Sequence, residues 1–163
     1  GEGYSYELGI DIDRLKDELS DDYIMLFRTH YYVTNSIDLK KYKGFVYDVS
    51  TYNDISDLYL VSDLLITDYS SVFFDYANLK KPILFYMYDL DEYKGKLRDF
   101  YFDLKLLPGP ILKDEESLVK NVKNINMYFD LYNDKYKKFN KKFNYLDGRN
   151  SSKKVIDIIT EDK

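Results

Sequence analysis

The clearest chemical signal in the chain is a short polar run, Thr67-Asp68-Tyr69-Ser70-Ser71, that directly follows the apolar residues 64–66. The spacing of residues 70–79 predicts a helix after this run. Backbone N–H groups at a helix start, together with two serine hydroxyls, attract an anion such as phosphate. A helix cap formed by Asp68 or Ser70, worth about 1 kcal/mol, explains the same residues without a ligand. Two adjacent serines exceed what one cap needs, which favours a phosphate site.

Arg28 and His30 follow the first apolar run, residues 23–27, and Arg98 follows a later one. An arginine fork pairs with phosphate through two hydrogen bonds, and ordinary surface salt bridges are the alternative for both arginines. His30 is the only histidine in the chain. At a ligand-binding edge its imidazole can transfer a proton or stabilise charge, and a purely structural role is the alternative. These three side chains are therefore candidates for contacts with a phosphorylated ligand.

Other polar residues complete the set at the predicted strand ends. Ser50 and Tyr52 follow residues 45–47, and Asp75 lies about one helical turn beyond the serine pair. A carboxylate in the position of Asp75 can meet ribose hydroxyls, and a solvated helix aspartate is the alternative. Because ligands of parallel α/β sheets bind beyond the carboxyl ends of the strands, we expect these residues to converge on one edge of the sheet.

Strand-length apolar runs alternate with stretches of helical spacing, and this alternation predicts the fold. The predicted strands cover residues 23–27, 45–47, 64–67 and 82–86, the first of them buried on both faces. One predicted helix ends at residue 19. The others cover residues 54–61, 70–79, 115–129, 131–143 and 151 onward. Such spacing is typical of βαβ units, so we expect a doubly wound α/β domain with a mostly parallel sheet. The inward-facing residues of two of these helices should include Leu60, Val61, Val155, Ile156 and Ile159.

Composition argues against several classes of site and partner. The 163 residues have the size of one domain, and 45% of them are hydrophobic. The lack of cysteine and the single histidine argue against a metal site, and the net charge of -5 argues against a nucleic-acid partner. No apolar run approaches the roughly 20 residues that span a membrane, and no secretory signal is evident. The chain starts with Gly1 rather than methionine, so we expect it to be a piece of a longer protein.

Five lysines between residues 135 and 142 are interleaved with Tyr136 and Phe139. This basic amphipathic stretch is typical of a packed helix with a solvated outer face. Peripheral contact with an anionic membrane surface is the alternative.

Residues 57–77, with the sequence DLYLVSDLLITDYSSVFFDYA, resemble the signature of the CDP-glycerol glycerophosphotransferases, which are the primases and polymerases of wall teichoic acid. Further matches occur in the family's order at residues 26–31, 82–85, 88–90, 97–103, 108–110 and 147–148. The resemblance covers nearly the whole chain from residue 11 onward.

The resemblance implies a GT-B-like enzyme built from two Rossmann-like domains. Residues 1–163 would be one domain, the C-terminal donor-binding half, and the N-terminal acceptor domain would be absent from this chain. By the same analogy, the serine pair holds the donor phosphates with Arg98, Asp75 lies near the ribose, and Ser50 and Tyr52 lie near the cytosine. The expected catalytic residue is His30, and the expected substrate-binding residues are Arg28, Ser50, Tyr52, Asp68, Ser70, Ser71, Asp75 and Arg98.

The function implied is transfer of glycerol phosphate from CDP-glycerol to a growing teichoic-acid or related cell-surface polymer, with release of CMP. No metal and no cofactor are expected. The expected partners are a polymer or lipid-linked acceptor and the protein's own N-terminal domain, without which the fragment should be inactive. The expected location is the cytoplasmic face of the bacterial membrane, with peripheral attachment. The alternatives are a CDP-ribitol phosphotransferase, a nucleotide-sugar glycosyltransferase or epimerase domain, and a nucleotide-binding module without catalysis.

Overall fold

The computed structural model describes residues 9–29, 38–90 and 103–161. Within these ranges five short strands form two parallel sheets, one with the order β1-β2 and one with the order β3-β4-β5. The strands are β1 Met25–Phe27, β2 Val46–Asp48, β3 Leu65–Thr67, β4 Ile83–Tyr86 and β5 Ile111–Leu112.

Six α-helices connect or follow the strands in the described part of the chain. They are α1 Ile12–Leu19, α2 Ile55–Val61, α3 Val72–Tyr76, α4 Glu115–Lys123, α5 Ile125–Phe143 and α6 Ser151–Glu161. Three of them begin where an aspartate carboxylate accepts a backbone N–H of the first turn, which satisfies a donor that has no partner within the helix. These caps are Asp11 for α1, Asp54 for α2 and Asp114 for α4.

Strand β4 lies between the two halves of the core. Its side chains alternate between two apolar clusters, because successive side chains of a strand point to opposite faces. Leu84 and Tyr86 belong to the cluster that also contains residues of α1 and α4. Ile83 and Phe85 belong to the cluster with residues of α3 and α5. Helices thus cover both faces of the sheet, which confirms the predicted doubly wound α/β fold.

Strand β5 was not predicted, because two residues are too few to form a recognisable apolar run. It is entered through Gly109, and a Cβ atom at that position would collide with the carbonyl oxygen of Ile83. The N–H of Phe85 donates a 3.0 Å hydrogen bond to the carbonyl of Pro110. The glycine therefore lets the backbone of this edge approach β4 closely enough to pair.

Several burial predictions were wrong. The residues of β1 are only half-buried, and the preceding Ile24 is 62% exposed, because one face of this strand is covered less well than the other. Leu60 and Val61 are exposed at the end of α2, where the helix turns them away from the half-buried Ile55 and Leu58. The three α6 residues expected in the core, Val155, Ile156 and Ile159, are 54–65% exposed. The amphipathic spacing predicted that this helix has an apolar face. The spacing does not show which surface, if any, of this domain packs against that face.

Helices α4 and α5 meet at Asn124, whereas the sequence pattern placed the boundary at residue 130. On α5, Tyr136 and Phe139 are buried and the five lysines between residues 135 and 142 are exposed. This pattern confirms that α5 packs with its lysine-rich face outward, and an exposed basic face suits water and an anionic membrane surface alike. None of the helices in the described ranges combines the length and apolar character that crossing a bilayer requires.

Candidate functional site

The carboxyl ends of β1 and β2 are joined by side-chain hydrogen bonds. The N–H of Thr29 donates to Oγ of Ser50 at 3.1 Å, and the two hydroxyl groups lie 3.2 Å apart. Nη1 of Arg28 donates to the backbone carbonyls of Val49 at 3.2 Å and Tyr52 at 2.8 Å. The structure therefore brings Arg28, Ser50 and Tyr52 together as expected. Because the described contacts of Arg28 are to the protein backbone, its pairing with phosphate stays a prediction.

An open pocket of about 450 Å³ lies beside this junction and is lined by Tyr52 and three carboxylates, Asp48, Asp54 and Asp57. The hydroxyl of Tyr52 donates to Oδ2 of Asp57 at 3.1 Å, and this bond raises the pKa of the tyrosine. Hydrogen bonds from the side chain and backbone of Ser50 lower the pKa of Asp48, so its carboxylate stays ionised at neutral pH. Negative lining repels phosphate but suits a group that carries N–H or O–H donors.

The serine pair lies at the end of β3. Oδ1 of Asp68 accepts the N–H of Ser70 at 3.3 Å, and Oγ of Ser70 accepts the N–H of Val72 at 3.4 Å. Both bonds are long and therefore weak. Ser71 directly precedes α3, but its side chain makes no capping hydrogen bond. Ser70 therefore caps the start of α3 only through a weak hydrogen bond, and the hydroxyl of Ser71 takes no part in capping.

Helix α3 is shorter than predicted. It begins at Val72 rather than Ser70 and is α-helical only to Tyr76, and a 3₁₀ turn, Ala77–Leu79, follows. A helix of five residues has few aligned peptide dipoles, so its field at the serine pair is weaker than that of a full-length helix. Direct hydrogen bonds from Ser70 and Ser71 must therefore supply more of any attraction for an anion.

Charged residues from the first strand end and from α3 influence the pKa of Tyr59 on α2. Burial raises its pKa, the negative charge of Asp75 raises it further, and the positive charge of Arg28 opposes the rise. Both charged groups therefore lie close enough to the Tyr59 hydroxyl to influence it. Asp75 is exposed on α3, so it is accessible to a ligand at this edge. Sequence reasoning missed Tyr59, because its helical position carries no hint of two charged neighbours from distant segments.

The third and fourth strand ends are also joined. The hydroxyl of Tyr69 donates to Oδ1 of Asp89 at 2.7 Å. The sequence placed Asp89 at the same edge, but the hydrogen bond between residues 20 positions apart could not be read from spacing.

Two of the predicted site residues, His30 and Arg98, lie outside the described residues, so their roles stay predictions. Within the described ranges, no group of three or more histidine, cysteine or acidic residues is arranged to hold a metal ion.

A family model described as CDP-Glycerol:Poly(glycerophosphate) glycerophosphotransferase matches residues 1–161. The chain belongs to this family. Its relatives include the teichoic acid poly(glycerol phosphate) polymerase of Bacillus subtilis strain 168, which is 46% identical over 96% of this chain and 21% of its own length. The teichoic acid glycerol-phosphate transferase of Staphylococcus aureus strain NCTC 8325 is 45% identical over 96% of this chain and 40% of its own.

The fold matches the solved structure of the wall teichoic acid polymerase TagF, with a TM-score of 0.86 and 46% identity over 98% of this chain and 39% of that chain. A TagF variant soaked with CDPG matches with a TM-score of 0.87, at 44% identity over 99% of this chain and 40% of that chain. These likenesses confirm the expected Rossmann-like, GT-B-type fold. The chain spans about a fifth to two fifths of the length of the relatives that it matches.

Proposed function

We propose that this domain binds CDP-glycerol, and that the longer protein transfers glycerol phosphate from it to a growing teichoic-acid or related cell-surface polymer. The observation that carries the proposal is the serine pair at the end of β3, where the hydroxyl of Ser71 has no capping role. Family membership and the likeness to a TagF variant soaked with CDPG support this choice of ligand.

In the proposed binding mode, the hydroxyls of Ser70 and Ser71 donate to the donor phosphates, and Arg98 adds positive charge. Asp75 accepts hydrogen bonds from the ribose hydroxyls. The cytosine occupies the acidic pocket, where its exocyclic N4 amino group donates a hydrogen bond to the carboxylate of Asp54 or Asp57. Aspartate is a suitable partner for cytosine N4, whereas uracil presents an oxygen at the same position and is repelled.

In the proposed reaction, an acceptor hydroxyl attacks the phosphorus that carries glycerol, and the bond from this phosphorus to the CMP oxygen breaks. Negative charge builds on the phosphoryl oxygens and on the departing CMP. Donors that are already in place stabilise that charge without reorganising. His30 would either stabilise a transferring or leaving oxygen as the cation or transfer a proton as an acid–base group.

Acceptor binding belongs, in this proposal, to an N-terminal domain outside this chain, and turnover requires both parts. We place the protein peripherally at the cytoplasmic face of the bacterial membrane, where a lipid-linked or polymeric acceptor would reach it. The exposed lysines of α5 support this location, because they can contact anionic lipid headgroups.

A CDP-ribitol donor is the second candidate. The teichoic acid poly(ribitol-phosphate) polymerase of Bacillus spizizenii strain W23 is 42% identical over 96% of this chain and 25% of its own length. The proposed contacts bind cytidine and phosphate rather than the polyol, so they suit either donor.

Calorimetric titration of the domain with CDP-glycerol, CDP-ribitol, CDP and UDP-glucose tests the proposal. We expect binding of all three cytidine nucleotides and at least about tenfold weaker binding of UDP-glucose, since a good base contact discriminates by about 1–3 kcal/mol. Equal affinity for the cytidine and uridine nucleotides would exclude the proposed donor class. Equal affinity for CDP and both CDP-polyols would place polyol selection outside this domain.

A further inference from the structure

Three of the hydrogen bonds in which residues 68–71, the serine loop, take part differ in length, and the bond between Tyr69 and Asp89 is the shortest of the three. It measures 2.7 Å and has a carboxylate as acceptor. The bonds within the loop measure 3.3 Å, from Ser70 N–H to Asp68, and 3.4 Å, from Val72 N–H to Ser70 Oγ. A short hydrogen bond to an ionised acceptor is stronger than a long bond of either kind. Of these three bonds, the one from Tyr69 therefore restrains the loop most.

Both partners of this bond lie in segments that are anchored by apolar packing. The ring of Tyr69 packs against the apolar cluster that contains the buried Phe73. Asp89 lies in the turn after β4, between Met87 and Leu90, which are 2% and 5% exposed. The N–H of Leu90 donates to the carbonyl of Met87 at 3.3 Å and closes the turn. A hydrogen bond between two anchored groups fixes the distance between their segments, whereas a bond between mobile groups does not.

We infer that Tyr69 and Asp89 are positioning residues for the donor phosphates, an inference that rests on the proposed function. Tyr69 lies between Asp68 and Ser70 in the chain, so a restraint on its side chain also restrains the backbone of both neighbours. The hydroxyls of Ser70 and Ser71 gain full strength only when they are held where the phosphate oxygens arrive. Asp89 supplies that restraint from a different strand end without touching the donor itself.

The first test replaces Tyr69 with phenylalanine, which keeps the ring and removes the hydrogen bond. We expect Tyr69→Phe to bind CDP-glycerol about tenfold more weakly, as for loss of one bond to a charged group. The control is Tyr86→Phe, because the Tyr86 hydroxyl also makes a part-buried hydrogen bond, at 3.0 Å to the carbonyl of Gly9. Both variants should lower the thermal unfolding midpoint to a similar extent, but Tyr86→Phe should keep the wild-type affinity.

The second test uses Asp89. Asp89→Asn keeps an oxygen that can accept from Tyr69, so its affinity should stay within about threefold of wild type, whereas Asp89→Ala should match Tyr69→Phe. The double variant Tyr69→Phe with Asp89→Ala should be no weaker than either single variant, because both remove the same bond. This rescue and this non-additivity distinguish positioning from a general loss of stability.

The possible failures are distinguishable. If the unaltered chain fails to bind CDP-glycerol, both the proposed function and this inference are overturned. If it binds and Tyr69→Phe binds equally well, the inference alone is overturned. The inference is likewise wrong if Asp89→Ala weakens binding strongly while Tyr69→Phe does not, since Asp89 would then contact the donor directly.

Discussion

Ser70 and Ser71 are adjacent, but their surroundings differ. Ser70 accepts the N–H of Val72 over a long distance, whereas the side chain of Ser71 makes no capping hydrogen bond. Sequence spacing alone could not separate a cap from a phosphate site, because both require small polar residues at a helix start. The structure assigns the weak capping contact to Ser70, so ligand binding can be tested most cleanly at Ser71.

We predict that Ser71→Ala weakens CDP-glycerol binding about tenfold and changes the free energy of unfolding by less than about 0.5 kcal/mol. The reason is that the hydroxyl is available to a phosphate but does not cap α3. Calorimetry and urea denaturation measure the two quantities. The control is Ser151→Ala, because the Ser151 hydroxyl accepts the N–H of Gly148 at 2.9 Å. It should lower stability and leave affinity unchanged, and the reverse pattern would contradict the assignment.

At the level of single residues, part of the strand-end set could be predicted from the sequence, and the hydrogen bonds within it could not. Arg28, Ser50 and Tyr52 converge because they follow neighbouring parallel strands, which apolar runs identify. Asp89 follows a predicted strand, so its place at this edge was expected, but its hydrogen bond to Tyr69 and the charged neighbours of Tyr59 could not be found in this way. These interactions connect residues far apart in sequence, so they depend on how helices and turns pack onto the sheet.

At the scale of the elements, the pairing of strand β5 with β4 depends on Gly109. We predict that Gly109→Ala lowers the free energy of unfolding by about 1–3 kcal/mol or more, because the added Cβ would meet the carbonyl oxygen of Ile83, which belongs to a buried strand. Urea denaturation at neutral pH provides the measurement. Gly148→Ala is the matched control, since a Cβ there meets nothing within 4 Å. Equal stability of the two variants would show that β5 does not need this close approach.

The ammonium group of Lys81 caps the C-terminal end of helix α2. Its Nζ donates to the carbonyls of Leu60 at 2.7 Å, Ser62 at 2.6 Å and Tyr59 at 3.4 Å. Lysine at a helix C-terminus satisfies carbonyls that have no partner within the helix and interacts favourably with the helix dipole.

We predict that Lys81→Met lowers the free energy of unfolding by about 1–3 kcal/mol, because part-buried carbonyls lose their charged donor. The neighbouring exposed Lys80 provides the control, and Lys80→Met should change stability by less than about 0.5 kcal/mol. Thermal and urea unfolding of both variants measure the two losses of stability. A loss in Lys81→Met no larger than in Lys80→Met would mean that solvent satisfies the end of α2.

Element prediction succeeded where a run of apolar residues was long enough to show a period. β2, β3 and β4 lie within a residue of their predicted positions for this reason. The pattern on α6 predicted an apolar face correctly but placed it in the core, whereas Ile156 is 58% exposed. Periodicity identifies the side of a helix that avoids water, and only the tertiary structure shows what covers it.

At the scale of the whole molecule, two buried tyrosines make the folding stability depend on pH. Tyr76 and Tyr136 are almost completely buried, and burial raises the pKa of both hydroxyls. Unfolded tyrosine ionises near pH 10, so the folded state resists an ionisation that the unfolded state undergoes. The stability from these groups is fully present below about pH 10 and is lost as the pH rises above it.

We therefore predict that the free energy of unfolding falls steeply above about pH 10, by up to about 1.4 kcal/mol per pH unit for each buried tyrosine. In the Tyr136→Phe variant this side chain cannot ionise, so the free energy of unfolding should fall less steeply with pH. Its value at pH 7 serves as the baseline, because the variant also loses the 2.7 Å hydrogen bond to the carbonyl of Lys81. Urea denaturation between pH 7 and about pH 11 gives the slopes. Parallel slopes for the variant and the wild type would contradict this account.

The class of the whole fold was predictable, because alternating strand and helix patterns leave few arrangements in which apolar faces are covered on both sides of a sheet. The character of the binding edge was only partly predictable. The acidic pocket beside Tyr52 forms from a strand end, a loop and a helix start, and no single stretch of sequence indicates it.

The most direct test of the central claim is an NMR titration of the ¹⁵N-labelled domain with CDP-glycerol, which follows the backbone amide of each residue. The account predicts the largest shifts at residues 68–71, with a second group at residues 50–57, and little change in α6. Largest shifts outside these two segments, or none at saturating CDP-glycerol, would contradict donor binding at the serine pair.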